Sequence, residues 1–277
     1  MRSFIILLLA ATLFVHAEDW PQFRGRNASG VSTGKGVPAE FSSDSKVAWR
    51  VKVGEGIGSP IIMKGRVFTT AMVDEQKCAV IALDAAGGRE LWKREFATGP
   101  LPRITPPNSH ASSTPAADAE RVYVYFSTVG LIAFDAATGT ESWRYAMPKP
   151  AYLMDWGAAA SPIVHNGLVF FCMDDDLTPF VVAVDAKTGK ERWKTPRQEM
   201  LAGYATPVLC EANGRTDLVI AGSGKLKGYD PATGKELWTC NTLVRTIMTS
   251  PVVQGGIIYI AVQSYGDATR TLKHALL

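Results

Sequence analysis

The chain has 277 residues, 47% of them apolar and 20% charged, with 29 Lys plus Arg against 26 Asp plus Glu for a net charge of +3. High apolar content and low net charge exclude intrinsic disorder. The scattered basic residues exclude a nucleic-acid binder that reads phosphates through a cationic stripe.

Arg2 precedes an apolar run from Phe4 to Val15, and Val15, His16 and Ala17 resemble a signal-peptidase site. The twelve residues of this run span about 18 Å as a helix, short of a hydrocarbon core of about 30 Å. Residues 1–17 therefore read as a leader cleaved near Ala17, which predicts a periplasmic or secreted protein with no membrane span. Residues 18–56 form an N-terminal segment, and residues 57–277 hold a repeat.

The repeat carries two markers in one phase. Residues 82–92, 133–143, 183–193 and 228–238 align without gaps, and their aspartates (Asp84, Asp135, Asp185 and Asp230) recur at spacings of 51, 50 and 45. A hydroxyl residue before proline opens each unit: Ser59-Pro60, Thr114-Pro115, Ser161-Pro162, Thr206-Pro207 and Ser250-Pro251. Within a unit the pattern gives four short strands. In the first these are 61–62, 67–70, 79–83 and 91–93, with a turn at Lys64-Gly65. Asn166-Gly167 is a tight-hairpin dipeptide, since both residues tolerate positive φ. In the Asp-x-x-Thr-Gly turn the carboxylate can accept from donors two or three residues on, and the glycine closes the turn in the left-handed region. Four strands every 44 to 55 residues predict an all-β fold of four-stranded antiparallel propeller blades.

The motif Ala-x-Asp-x-x-Thr-Gly-Lys-x-x-Trp, matched throughout by residues 183–193, resembles the tryptophan-docking repeat of the quinoprotein, or PQQ-like, eight-bladed β-propellers. Asp19 to Gly25 (Asp-Trp-Pro-Gln-Phe-Arg-Gly) looks like the opening signature of secreted bacterial members. The resemblance implies that each of Trp49, Trp92, Trp143, Trp193 and Trp238 docks on a neighbouring blade's turn glycine, with Gly88, Gly139, Gly189 and Gly234 as the receiving residues. It also implies that residues 46–53, around Trp49, are a ring-closing strand. Four whole blades (57–94, 112–145, 159–195 and 204–240) and a fifth begun at Ser250 are present. Eight blades need about 360 residues, so the remaining blades are expected from the rest of a longer chain.

Loops entering each blade's first strand gather on one face of a propeller, where function usually lies. They carry Arg103, Asn108, His110, Asp155, Trp156, Tyr204 and Arg245 as candidate ligand-binding residues, suited to a polar ligand or a peptide. No catalytic or metal-ligating set is predicted. Asp174, Asp175 and Asp176 lack the Asp-x-Asp-x-Asp-Gly loop of a calcium site and read as a solvated hairpin tip. Gly222 to Lys225 reads as a hairpin, and Asn27-Ala28-Ser29 as a short glycosylation pattern. Cys172 and Cys210 sit in apolar strands, and the four cysteines read as buried thiols. The resemblance offers two functions. One is a non-catalytic binding or assembly scaffold with a protein or peptide partner and no cofactor. The other is a dehydrogenase using PQQ and calcium, whose usual adjacent Cys-Cys pair is absent here.

Overall fold

A computed structural model describes residues 18–241 and 248–261; the leader 1–17 and Arg245 lie outside the described residues. The described chain is all-β apart from one 3-10 turn at Arg26–Ala28. Four antiparallel sheets follow one another, each with its strands paired in sequence order. Blade 1 holds β1 (Ile61–Met63), β2 (Arg66–Asp74), β3 (Lys77–Asp84) and β4 (Glu90–Ala97). Blade 2 holds β5 (Ala116–Ala117), β6 (Arg121–Phe126), β7 (Gly130–Asp135) and β8 (Glu141–Tyr145). Blade 3 holds β9 (Ile163–His165), β10 (Leu168–Met173), β11 (Phe180–Asp185) and β12 (Glu191–Pro196). Blade 4 holds β13 (Val208–Ala212), β14 (Arg215–Gly222), β15 (Lys225–Tyr229) and β16 (Glu236–Cys240). A fifth blade contributes β17 (Val252–Gln254) and β18 (Ile257–Tyr259).

The middle strands read as unbroken apolar runs because both of their faces are covered, as the burial of 78–83 shows. Alternate residues go to opposite neighbours. In blade 2, Val122, Val124, Ile132 and Phe134 pack with blade 1, while Tyr123, Tyr125, Leu131 and Ala133 pack with blade 3. Phe170, Cys172 and Val181 then join blade 3 to Leu218 and Ile220 of blade 4.

The tryptophans join the same interfaces at the outer edge. A Cβ placed on Gly139 would lie 2.6 Å from Trp92, one on Gly189 2.6 Å from Trp143, and one on Gly88 2.7 Å from Trp49. Each indole Nε1–H donates to a carbonyl of the same turn: Trp49 to Ala85, Trp92 to Ala136, Trp143 to Ala186 and Trp193 to Pro231, at 3.0 to 3.1 Å. Burying an indole of about 150–250 Å² is worth at most about 4–6 kcal/mol, against about 1 kcal/mol for the hydrogen bond. Packing therefore supplies the strength and the hydrogen bond the orientation.

Each blade also bulges between its third and fourth strands, at Ala82/Leu83, Ala133/Phe134, Ala183/Val184 and Gly228/Tyr229. The small residue of the motif faces the tryptophan across the strands, as Ala183 faces Trp193. The turn that follows is tied by its aspartate. Asp135 Oδ1 accepts from Ala137 N, Thr138 N and Thr138 Oγ1, and Asp185 accepts equivalently. Those threonine bonds hold both carboxyls below their usual range.

Trp238 departs from the expected pattern. It lies over Gly228 of its own blade and donates to Asp217 Oδ2 at 2.7 Å. No glycine turn of a following blade reaches it among the described residues, and the glycine at 228, where the other repeats have alanine, leaves room for the indole to fold back. Residues 46–53 pair with no strand of the described chain, although Trp49 is seated on blade 1.

The Ser/Thr-Pro marker forms a belt around the hub. Ser59 N donates to Thr114 Oγ1, Thr114 N to Ser161 Oγ, Ser161 N to Thr206 Oγ1 and Thr206 N to Ser250 Oγ, at 2.8 to 3.2 Å. A second tie comes from the N-terminal segment, which crosses the innermost strands as a clasp. Trp20 exchanges two backbone bonds with Ile62, Pro21 O accepts from Ala117 N, and the Asn27 amide bonds both N and O of Leu209. The clasp satisfies strand edges that would otherwise be unpaired. It also engages the Asn27 amide that a glycan would need.

Cys78, Cys172 and Cys210 are buried free thiols and Cys240 is half-buried. Burial pushes the Cys78 thiol up to about 12. Two glycines separate the wedge from mere backbone preference. Gly189 and Gly167 share a left-handed φ (68° and 75°), yet only Gly189 has an indole against it. Gly167→Ala is expected to cost about 1–2 kcal/mol in urea unfolding from the backbone alone, and Gly189→Ala about 1–3 kcal/mol more. Equal losses would mean that the indole contact contributes nothing.

Candidate functional site

Residues just before each innermost strand converge around the hub. Ile57, Ser112, Ala159, Thr206 and Ser250 line an axial cavity of about 510 Å³, to which the clasp adds Phe23 and the long loops add Asn108 and Trp156. Of the residues singled out in the sequence, Asn108, Trp156 and Tyr204 meet here. His110 instead lines a second cavity of about 710 Å³, beside blade 1, with Asn108 on the boundary of both. Arg103 and Asp155 line neither; they face each other across 3.9 Å, with Arg103 exposed and Asp155 half-buried.

The two long loops brace each other. Thr105 N donates to Asp155 O at 2.7 Å and Asn108 Nδ2 to Trp156 O at 3.1 Å. Gly157, at φ 78°, lets Ile104 approach where a Cβ would sit 2.6 Å from it. Tyr204 stacks on Tyr152 with ring centroids 5.4 Å apart, and Trp156 lies 6.1 Å from Tyr204. Burial, with the Asp176 carboxylate, pushes the Tyr204 phenol up to about 12, so it remains a neutral donor. Burial lowers the His110 imidazole, while Glu55 and the Pro102 carbonyl pull it upward.

The three consecutive aspartates are not a solvated tip. Asp174 and Asp175 are buried, and Asp174 takes a bidentate pair from the fully buried Arg197, with Nε to Oδ1 at 2.7 Å and Nη2 to Oδ2 at 2.8 Å. Arg197 Nη1 donates to Tyr229 Oη at 2.5 Å, linking blade 3 to blade 4. Asp175 accepts from Ala151 N and Thr178 N, and Asp176 from Leu153 N. Asp175 and Asp176 therefore hold the loop that carries Tyr152 and Trp156. The sequence shows the three acids but gives no sign of their partner Arg197, which lies 23 residues away on another strand end.

The chain matches the family described as outer membrane protein assembly factor BamB over residues 23–108 and 76–271. It is 30% identical over 159 residues, 56% of its length, to the quinohemoprotein alcohol dehydrogenase ADH IIB of Pseudomonas putida, of which it covers 22%. Across the curated relatives it matches, the chain spans 20–25% of their length. The quinohemoprotein alcohol dehydrogenase structure from Comamonas testosteroni superposes with a TM-score of 0.61 at 17% identity, covering 87% of this chain and 45% of that one. BamB from Moraxella catarrhalis superposes with a TM-score of 0.52 at 18% identity, covering 78% and 61% respectively. Both show the same propeller fold.

PQQ carries three carboxylates, which call for cationic partners, and calcium needs clustered oxygen ligands. The described lining of the axial cavity holds no Arg, Lys, Asp or Glu. No group of three or more His, Cys, Asp or Glu able to hold a metal occurs among the described residues. The described lining of the axial cavity therefore does not fit PQQ with calcium.

Removing Arg197 strands a buried carboxylate. Arg197→Met is expected to lower stability by about 3–5 kcal/mol in urea unfolding, and a second change, Asp174→Asn, to recover part of it. A loss below about 1 kcal/mol would show that the pair holds nothing in place.

Proposed function

Because the chain belongs to the PQQ-like repeat family described as outer membrane protein assembly factor BamB, we propose that it is an exported, non-catalytic scaffold that binds a protein or peptide partner through its axial cavity. One observation carries this reading. The described lining of that cavity joins apolar and aromatic surface (Phe23, Ile57, Trp156, Tyr204) to hydroxyl and amide groups (Ser112, Asn108, Thr206). Aromatic anchors beside neutral polar groups are the usual chemistry of protein recognition. The hub belt and the braced loops fix these groups before any partner arrives, which lowers the ordering cost of binding.

The second reading, a dehydrogenase using PQQ and calcium, draws support from the 30% identity to a quinohemoprotein alcohol dehydrogenase. It requires cationic and calcium-binding groups beyond those described. Export rests on the likeness of residues 2–17 to a cleavable leader. No helix among the described residues is long and apolar enough to cross a membrane. Glu18, the first residue after the proposed cleavage, is already anchored, its carboxylate accepting from Thr33 N at 2.8 Å and Thr33 Oγ1 at 2.9 Å.

Two measurements test the proposal. Mass spectrometry of the exported protein is expected to find Glu18 at its start; a mature chain retaining residues 1–17 would overturn export. Full-length protein mixed with PQQ and calcium is expected to show neither cofactor absorbance nor dye reduction with alcohols. Sustained turnover would replace the scaffold reading with the dehydrogenase.

A further inference from the structure

Blade 1 differs from its neighbours on the cavity-bearing side. Strands β2 and β3 run 9 and 8 residues, where β6, β7, β10 and β11 each have 6. The extra length lifts the 73–76 hairpin, and Thr98 fastens the start of the long loop to it through Gln76 O. Between hairpin and loop lies the second cavity, of about 710 Å³. Its apolar lining comes from Met72, Leu101 and Ile104, and its charged lining from Glu55, Asp74 and Glu75 against a single ammonium, that of Lys52. Glu55 and Glu75 are exposed. Asp74 Oδ1 caps Gln76 N. Burial lowers the His110 imidazole, so at neutral pH it does not offset the carboxylates.

Asn108 lines this cavity and the axial one, so the two adjoin across one side chain. We propose that they form one bipartite site for an extended peptide, whose apolar or aromatic side chain enters the axial cavity while a neighbouring Lys or Arg enters the blade 1 cavity. Such a basic side chain lays its aliphatic stem on Met72, Leu101 and Ile104 and brings its cationic head to Glu55 and Glu75. A neutral peptide fills only the axial half. An acidic one meets like charge, which is the discriminating element. This inference rests on the peptide-binding reading above and adds the partner's charge pattern.

The test uses full-length protein and three fluorescein-labelled, end-blocked hexapeptides. Each carries one Phe, followed two residues later by a pair of Lys, Met or Glu residues. In fluorescence polarisation the Lys peptide is expected to bind about tenfold more tightly than the Glu peptide, with the preference shrinking at high salt. The double variant Glu55→Gln with Glu75→Gln removes exposed charge without touching the core. It is expected to weaken the Lys peptide about five- to tenfold and leave the Met peptide unchanged. Equal affinity for the three peptides, or a variant that leaves the Lys peptide unaffected, would overturn the bipartite site while sparing the axial one. Absence of binding by all three up to about 1 mM would overturn both.

Discussion

The structure depends on a flat indole pressed against a glycine of the next blade. A four-stranded sheet cannot bury both of its faces alone, so each blade is stable only between neighbours. The outer edge of that junction is set by Trp92 on Gly139, Trp143 on Gly189 and Trp193 on Gly234. The bulge before each turn and the small residue opposite each indole follow from the same demand: the ring must leave its own sheet and reach the next. At the inner end the hydroxyl belt from Ser59 to Ser250 repeats the coupling with hydrogen bonds in place of surface. A blade pinned at both ends has little freedom to rotate against its neighbour, which is what a fixed axial cavity requires.

The periodic part of this arrangement is legible in the sequence because its determinants are local. Strands, the Asp-x-x-Thr-Gly turn and the Asn166-Gly167 hairpin are each specified within a dozen residues, and two markers in one phase fix the repeat. The Ser/Thr-Pro marker shows where each unit opens. Its role as a belt is not legible, since every bond joins residues 44 to 55 positions apart. The clasp is more remote still, with Asn27 bonded to Leu209 across 182 residues. Trp238 shows the opposite limit. Its local pattern matches the motif, and its placement is decided by what is available to receive it.

The site was legible only in part for the same reason. Loop position and residue type pick out Asn108, Trp156 and Tyr204, which do converge, but they also pick out Arg103 and Asp155, which face each other outside the cavities. Phe23 enters the lining from a segment far away in sequence. The three aspartates show how composition misleads. Clustered carboxylates suggest solvent or calcium, whereas a buried guanidinium and several backbone amides consume them. Asp175 and Asp176 hold the loop of the aromatic wall, while the neighbouring Asp174 is fixed by the buried Arg197, which also reaches Tyr229 of blade 4.

Hydrogen exchange at the indole nitrogens tests the central claim most directly. Trp92, Trp143 and Trp193 are at most 9% exposed, and each donates its Nε1–H to a turn carbonyl of the next blade. In deuterium oxide their side-chain proton resonances are expected to persist as long as the slowest backbone amides of β3, β7 and β11, since both open only when blades separate. Loss of those three indole signals at the rate of a solvent-exposed tryptophan, while the strand amides remain protected, would show that the sheets hold together without the wedges.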